Sequence, residues 1–190
     1  MTKLVALFVY PTDVLRIRDD RLDRTLLRRL ASGDAGALGL LYDRHAAPLY
    51  RHALAISPRP ADAEDLVQTV FVKLATTGAD LLGVRTPASY LHGMLRTVWV
   101  DAWRRQARAG EEPLPEHGAE PSGHRGSDET ATLDLQRALW QLPDEQREVI
   151  ELHLVEGFSF REIGRMTGVS MWTVTGRYRL AVGRLRNLLG

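Results

Sequence analysis

From Gly157 to Gly190 the chain carries Arg161, Arg165, Arg177, Arg179, Arg184 and Arg186 against a single acid, Glu162; six charges less one leave +5, in a protein whose net charge is only +1. Guanidinium groups gathered at this density neutralise phosphates, the interaction that supplies most non-specific affinity for nucleic acid. A second cationic stretch, Arg85 to Arg108, holds five arginines and one acid, Asp101. There the cations alternate with rings: His92, Arg96, Trp99 and Trp103 fall off the apolar stripe of the segment. Rings that stack on bases beside arginines that hold phosphates suit a single strand. Packing of Trp99 or Trp103 into a core is the alternative. A third grouping, His45 and His52 seven apart with acids at Asp62 to Asp65, is compatible with a metal-dependent hydrolase. No HExxH, Gly-rich phosphate loop or GxSxG accompanies it, so no catalytic residue, cofactor or metal is expected, and the reading is not an enzyme.

These groups need elements to position them. An amphipathic helix is expected from Asp34, a candidate N-cap, through Leu38, Leu41, Tyr42, Leu49 and Ala53. The next begins near Asp62 with Leu66, Val67, Val70, Phe71 and Leu74 on one face. A third opens on Thr86 and Pro87, where proline's missing N–H costs nothing, and buries Leu91, Met94, Leu95, Val98 and Ala102. From Arg108 to Thr132 the apolar period vanishes, with three prolines, four glycines and six acids against two arginines. Such a stretch cannot bury enough surface to offset its ordering entropy, so it is expected to be a flexible acidic linker.

Helical patterning resumes at Leu133. Pro143 with Asp144 and Glu145 marks a helix start, and Ser159 with Glu162 makes an S-x-x-E capping box. Gly168 ends that short helix, and Ser170 caps a longer one whose inner face is Val174, Tyr178, Ala181, Leu185 and Leu188. Short helix, glycine turn and long helix make a helix-turn-helix, with an ordinary helical hairpin as the alternative. Ile163 and Val174 pack the pair, and Gly164 lets the helices approach. Early in the last helix Trp172, Thr173, Thr175 and Arg177 are placed to reach base edges, and Arg179 and Arg184 to hold phosphates; Trp172 as a rim packing residue is the other reading.

The run Leu142 to Gly164 (LPDEQREVIELHLVEGFSFREIG), continued by VS-x-x-TV from Val169 to Val174, resembles region four of extracytoplasmic-function (ECF) sigma factors of bacterial RNA polymerase. DAEDLVQ (Asp62 to Gln68), SYL (Ser89 to Leu91) and D-x-x-RR (Asp101 to Arg105) resemble region two of the same family. The resemblance spans about Asp23 to Gly190 and implies an all-α protein of two small helical domains. It implies an extension of unknown role at 1–22, a region-two-like bundle at 23–107, the linker at 108–132 and a region-four-like helix-turn-helix at 133–190. Asp62, Glu64, Asp65, Leu66 and Gln68 match the helix that docks on the coiled coil of the polymerase's largest subunit. Acids at the positive end of a helix dipole would account for the first three by themselves. Arg85, His92, Arg96, Thr97, Trp99, Trp103, Arg104 and Arg105 match the part that recognises and opens the promoter −10 element. Ser170, Trp172, Thr173, Thr175, Arg177, Arg179 and Arg184 fall in the −35 reader. Thr97 stands where the family commonly has Asn, Thr69 where Glu is usual, Thr167 for an aliphatic, and Thr175 and Gly176 for Lys and Ser. An unusual promoter preference is the expected consequence. The implied partners are RNA polymerase core, promoter DNA and an anti-sigma factor.

The remaining rival is a helix-turn-helix regulator that acts without docking on polymerase. A response-regulator type would need a receiver domain, which a helical block lacking a strand pattern does not supply. The chain has no cysteine, which fits a reducing compartment. Its apolar run from Leu4 to Tyr10 is too short for a membrane span and lacks the cleavage site of a signal peptide. A cytoplasmic protein is expected.

Overall fold

The computed structural model describes residues 20–57, 59–109 and 129–189, with side chains through 108 and again from 134. The expected extension lies outside the described residues apart from 20–22, and the expected linker lies outside them apart from its two ends. All regular structure among the described residues is helical. They fall into two compact units.

The N-terminal unit comprises α1 (Asp20–Ala31), α2 (Ala35–Ile56), α3 (Pro60–Thr76), a 3₁₀ turn (Gly78–Gly83) and α4 (Pro87–Ala109). The boundaries follow from local chemistry. Gly33, at φ 92°, turns the chain after α1. The Asp34 carboxylate then accepts from the Gly36 N–H at 3.0 Å and is held by Arg29 at 2.8 Å. Proline opens both α3 and α4, where its fixed φ matches the helix and its lost N–H has no partner to lose. Arg59 ahead of α3 grips Asp62 with two hydrogen bonds of 2.8 Å. The Thr86 carbonyl accepts the first α4 bond from Tyr90, as an N-cap position requires. Leu26, Leu27, Leu41, Leu49, Val70, Leu74, Leu91 and Leu95 are buried at the centre. Leu38 and Met94 pack against this core from partly buried positions, and Tyr42 is exposed but tilts against Phe71.

The C-terminal unit comprises α5 (Glu129–Trp140), α6 (Asp144–Ile150) continued by a π turn (Glu151–Val155), α7 (Phe160–Thr167) and α8 (Met171–Leu189). α5 starts at Glu129, four residues before the point at which the apolar pattern resumes. Pro143 is the N-cap of α6. Arg147, almost fully buried, donates to the Leu142 carbonyl at 3.2 Å, pairs with Asp144 and lies over the Trp140 ring. Burial draws its pKa below the ordinary arginine value, against the pull of the Asp144 carboxylate. Ala138, Leu142, Ile150, Ala181 and Leu185 join α5 and α6 to α8. Leu188, expected on the inner face, is 44% exposed because α8 runs past the last layer of that core.

Candidate nucleic-acid and polymerase interface

The α7–α8 corner is built from caps. Ser159 accepts from the Glu162 N–H while the Glu162 carboxylate accepts from the Ser159 N–H at 2.8 Å, which is the expected capping box. Gly168 ends α7 at φ 72°, a left-handed conformation that glycine adopts without strain. The Ser170 hydroxyl accepts from the Thr173 N–H at 3.1 Å and starts α8. Ile163 and Val174 are fully buried between the two helices. At Gly164 a Cβ would lie 2.8 Å from the Val169 carbonyl oxygen, so the backbone itself occupies the space a side chain would need.

This corner presents the start of α8 outward. Trp172 is 78% exposed, which rules out a packing role in the unit. Ser170, Thr173 and Arg179 are exposed with it. Thr175 is partly buried and its hydroxyl donates to the Met171 carbonyl at 2.9 Å. Arg177 departs from the expected arrangement, and Arg184 makes a contact to α6 that the sequence did not indicate. Arg177 is 18% exposed and pairs with Glu145 of α6 at 3.0 Å, and Arg184 donates to Gln146 at 3.2 Å. The helical repeat explains this, because Arg177 lies three residues after Val174 and four before Ala181, and Arg184 three after Ala181. Both flank the buried stripe and contact α6; Arg177 is partly buried there, whereas Arg184 is exposed. Gly176 lies on that face, and a Cβ at this position would meet nothing within 4 Å.

On α4, Trp103 is 48% exposed, and Thr97, Arg104 and Arg105 are exposed. Trp99 is partly buried and packs against the core, and Arg96 is partly buried. The Thr97 hydroxyl donates to the Gly93 carbonyl at 3.0 Å and Arg105 Nε to the Asp101 carbonyl at 3.2 Å. Arg85 is exposed just ahead of the helix. His92 corrects the sequence reading: it is 1% exposed, with Nδ1 3.0 Å from Nδ1 of the fully buried His52. Ala88 and Leu95, four before and three after it, are both buried, so the core-facing arc of α4 is wide enough to include position 92.

Along α3, Glu64, Asp65 and Gln68 are exposed, and Asp62 is tied to Arg59. Leu66 is 5% exposed and belongs to the core, where it supports the helix. Val72, which the sequence reading missed, continues the outward row one turn beyond Gln68 and is 65% exposed. Its apolar character at a position four after an exposed glutamine is the signal that could have identified it.

The two histidines that suggested a metal site have separate partners. His45 Nε2 lies 3.0 Å from Asp23, which also binds Arg44, while His52 meets His92. Burial raises the Asp23 pKa, but hydrogen bonds from His45 and Arg44 outweigh it and hold the carboxyl below its ordinary value. Among the described residues no group of three or more potential metal ligands occurs.

The geometry defines a two-unit helical protein whose C-terminal unit is a helix-turn-helix with a cationic, aromatic outer face. The sigma-70 region 2 family model matches residues 41–109, and the sigma-70 region 4 model matches residues 132–185. The ECF RNA polymerase sigma factor SigM of Mycobacterium tuberculosis (strain ATCC 25618 / H37Rv) is 31% identical over 173 residues, covering 91% of this chain and 87% of SigM. SigE of Mycolicibacterium smegmatis, also an ECF sigma factor, is 33% identical over 168 residues, 84% of this chain and 65% of SigE. The solved structure of CnrH in complex with the cytosolic domain of CnrY superposes with a TM-score of 0.63 at 27% identity, covering 88% of this chain and 96% of CnrH. The chain belongs to the ECF sigma factors of the sigma-70 family. It binds RNA polymerase core and directs promoter-specific transcription initiation, as a member of a family of non-enzymatic regulators.

Proposed function

We propose that the N-terminal unit, 23–107, docks on polymerase and opens the −10 element, that 133–190 reads the −35 element, and that 108–132 is a spacer. The observation that carries this reading is the pair of outward faces on one four-helix unit. The row Glu64, Asp65, Gln68 and Val72 on α3 is offered to a protein surface, and Arg96, Thr97, Trp103, Arg104 and Arg105 on α4 to a strand. The α3 row meets the coiled coil of the polymerase's largest subunit. Trp103 stacks on an unpaired base, Trp99 supports it from the core side, and the arginines hold phosphates. On α8, Trp172, Thr173 and Arg179 face the major groove, Ser170 sets the helix start, and Arg177 and Arg184 brace α8 against α6.

The protein acts in the cytoplasm and has no catalytic activity of its own. Absence of cysteine supports the former, and among the described residues no helix is long and apolar enough to cross a membrane. An anti-sigma protein is a further partner, supported by the likeness to CnrH, which was solved with the cytosolic domain of CnrY. Changing Asp65 and Gln68 together to Ala should weaken association with polymerase core while helicity and melting temperature are unchanged. Unchanged core affinity in that variant refutes the docking assignment.

A further inference from the structure

The hydroxyls at the start of α8 are largely engaged within the helix itself. Those of Ser170 and Thr173 lie 2.9 Å apart and bond to each other, and Ser170 Oγ also accepts from the Thr173 N–H at 3.1 Å. The Thr175 hydroxyl donates to the Met171 carbonyl at 2.9 Å. Of the three hydroxyl hydrogens, these bonds leave one. Base edges are told apart mainly by paired donors and acceptors, and little of that kind remains here. What the face offers instead is carbon. Trp172 is 78% exposed and Leu180 60%. Trp172, Gly176 and Leu180 follow one another at intervals of four, so they lie along one ridge of the helix. A Cβ at Gly176 would meet nothing within 4 Å, so bare backbone makes a notch between the indole and the leucine. Large apolar side chains grouped in water mark a contact surface.

We propose that this notch selects thymine, taking the C5 methyl group of a T·A pair of the −35 element between Trp172 and Leu180. The inference rests on the proposed role of 133–190 as the −35 reader and deepens it, from where the helix binds to which base it prefers. In the major groove thymine alone presents an apolar group, its methyl. Ring, leucine and bare backbone complement that group and offer no paired donors to the two acceptors of guanine. The amino group of cytosine or adenine would lose its bond to water against this carbon, at the cost of an unsatisfied donor. Position favours duplex DNA over a protein as the occupant. The ridge begins in the first turn of α8, within the match to sigma-70 region 4. Arg179 and Arg186, seven apart and both exposed, run beside it, where phosphates border a groove. From Trp172 to Leu180 the helix advances roughly 12 Å, at ~1.5 Å per residue, close to the ~12 Å width of the major groove. Both flanks of the notch can therefore enter the groove together.

The test uses holoenzyme reconstituted from polymerase core and the full chain. A randomised duplex library is selected for binding, and the preferred −35 sequence is remade with deoxyuridine replacing each thymidine in turn. Deoxyuridine pairs as thymidine does and lacks only the methyl. At one or two positions the replacement should lower affinity about four-fold, the equivalent of ~0.8 kcal/mol for a buried methyl-sized group. Trp172→Ala and Leu180→Ala should each bind the preferred duplex more weakly and lose the deoxyuridine effect at those positions. Their melting temperatures should match wild type, because both side chains are exposed. Gly176→Ala, which fills the notch, should also blunt the effect. A preferred sequence without thymine, or one in which no deoxyuridine matters, overturns the proposal and leaves the −35 assignment intact. So does a deoxyuridine effect that persists in all three variants, since the methyl would then be sensed elsewhere or through duplex shape. Equal weakening of every duplex by Trp172→Ala, with the deoxyuridine effect intact, places the ring against the sugar–phosphate backbone and overturns the notch. A selection that enriches no −35 sequence refutes the −35 role and the notch together.

Discussion

Replacing Gly164 and Gly176 by alanine should shift stability in opposite directions, although both glycines lie in helices of the same unit. Alanine is favoured over glycine in a helix interior by about 0.8–1.0 kcal/mol. At Gly176 nothing lies within 4 Å of the added carbon, so that gain should appear in full. At Gly164 the added carbon would lie 2.8 Å from the Val169 carbonyl oxygen, with Met171 N at 3.5 Å, whereas ordinary contact begins at 3.4 Å. Relief requires a shift of some 0.6 Å, the difference between those limits, in backbone on the turn that starts α8. Overpacking of this kind costs about 1–3 kcal/mol, and subtracting the propensity gain leaves a net loss of up to about 2 kcal/mol at a site with no flexible side chain to yield. For a unit of this size each kcal/mol moves the melting temperature by roughly 4–8 °C. Calorimetry of the full chain should therefore show Gly164→Ala lowering one transition by up to about 16 °C, and Gly176→Ala raising the same transition. Because Gly176 faces outward beside Trp172, Gly176→Ala should also weaken binding to −35 duplex despite its added stability. A Gly164→Ala protein as stable as wild type would refute the close approach of α7 to the turn.

The arginines of α8 should separate by role. Arg179→Ala should reduce the salt slope of duplex binding by about one unit with little change in melting temperature, whereas Arg177→Ala should lower melting temperature by freeing Glu145. Altered base discrimination by Arg177→Ala at unchanged stability would restore it as a reader. On α4, Trp103→Ala should reduce open-complex formation about five-fold or more, since a base–aromatic stack contributes ~1–3 kcal/mol. Permanganate reactivity of the melted strand is the readout, and Trp99→Ala should in addition lower stability by about 2 kcal/mol, less than the ~3–5 of a fully buried ring. Asp23 has a folded pKa below its unfolded value of about 3.8, so its contribution is present above that pH and lost as the pH falls through the folded value. Denaturant midpoints of the N-terminal unit measured above and below pH 3.8 should drop in acid, and Asp23→Asn should reduce that drop while lowering the neutral-pH midpoint.

Much of the architecture is legible in the sequence because it is set locally. An N-cap carboxylate at Asp34, prolines opening α3 and α4, the Ser159–Glu162 box and a left-handed Gly168 each act within a few residues, so spacing alone identifies them. The apolar stripes likewise identify most of the core. Sequence periodicity locates the centre of a buried face but not its width, because the width depends on how many neighbours pack there. For that reason the stripe of α4 leaves His92 outside it, whereas the fold turns His92 into the core and sets Arg177 against Glu145. Two packed neighbours widen the buried arc of α4 to include His92 beside His52, and α6 brings Glu145 to Arg177 across thirty-two positions of chain.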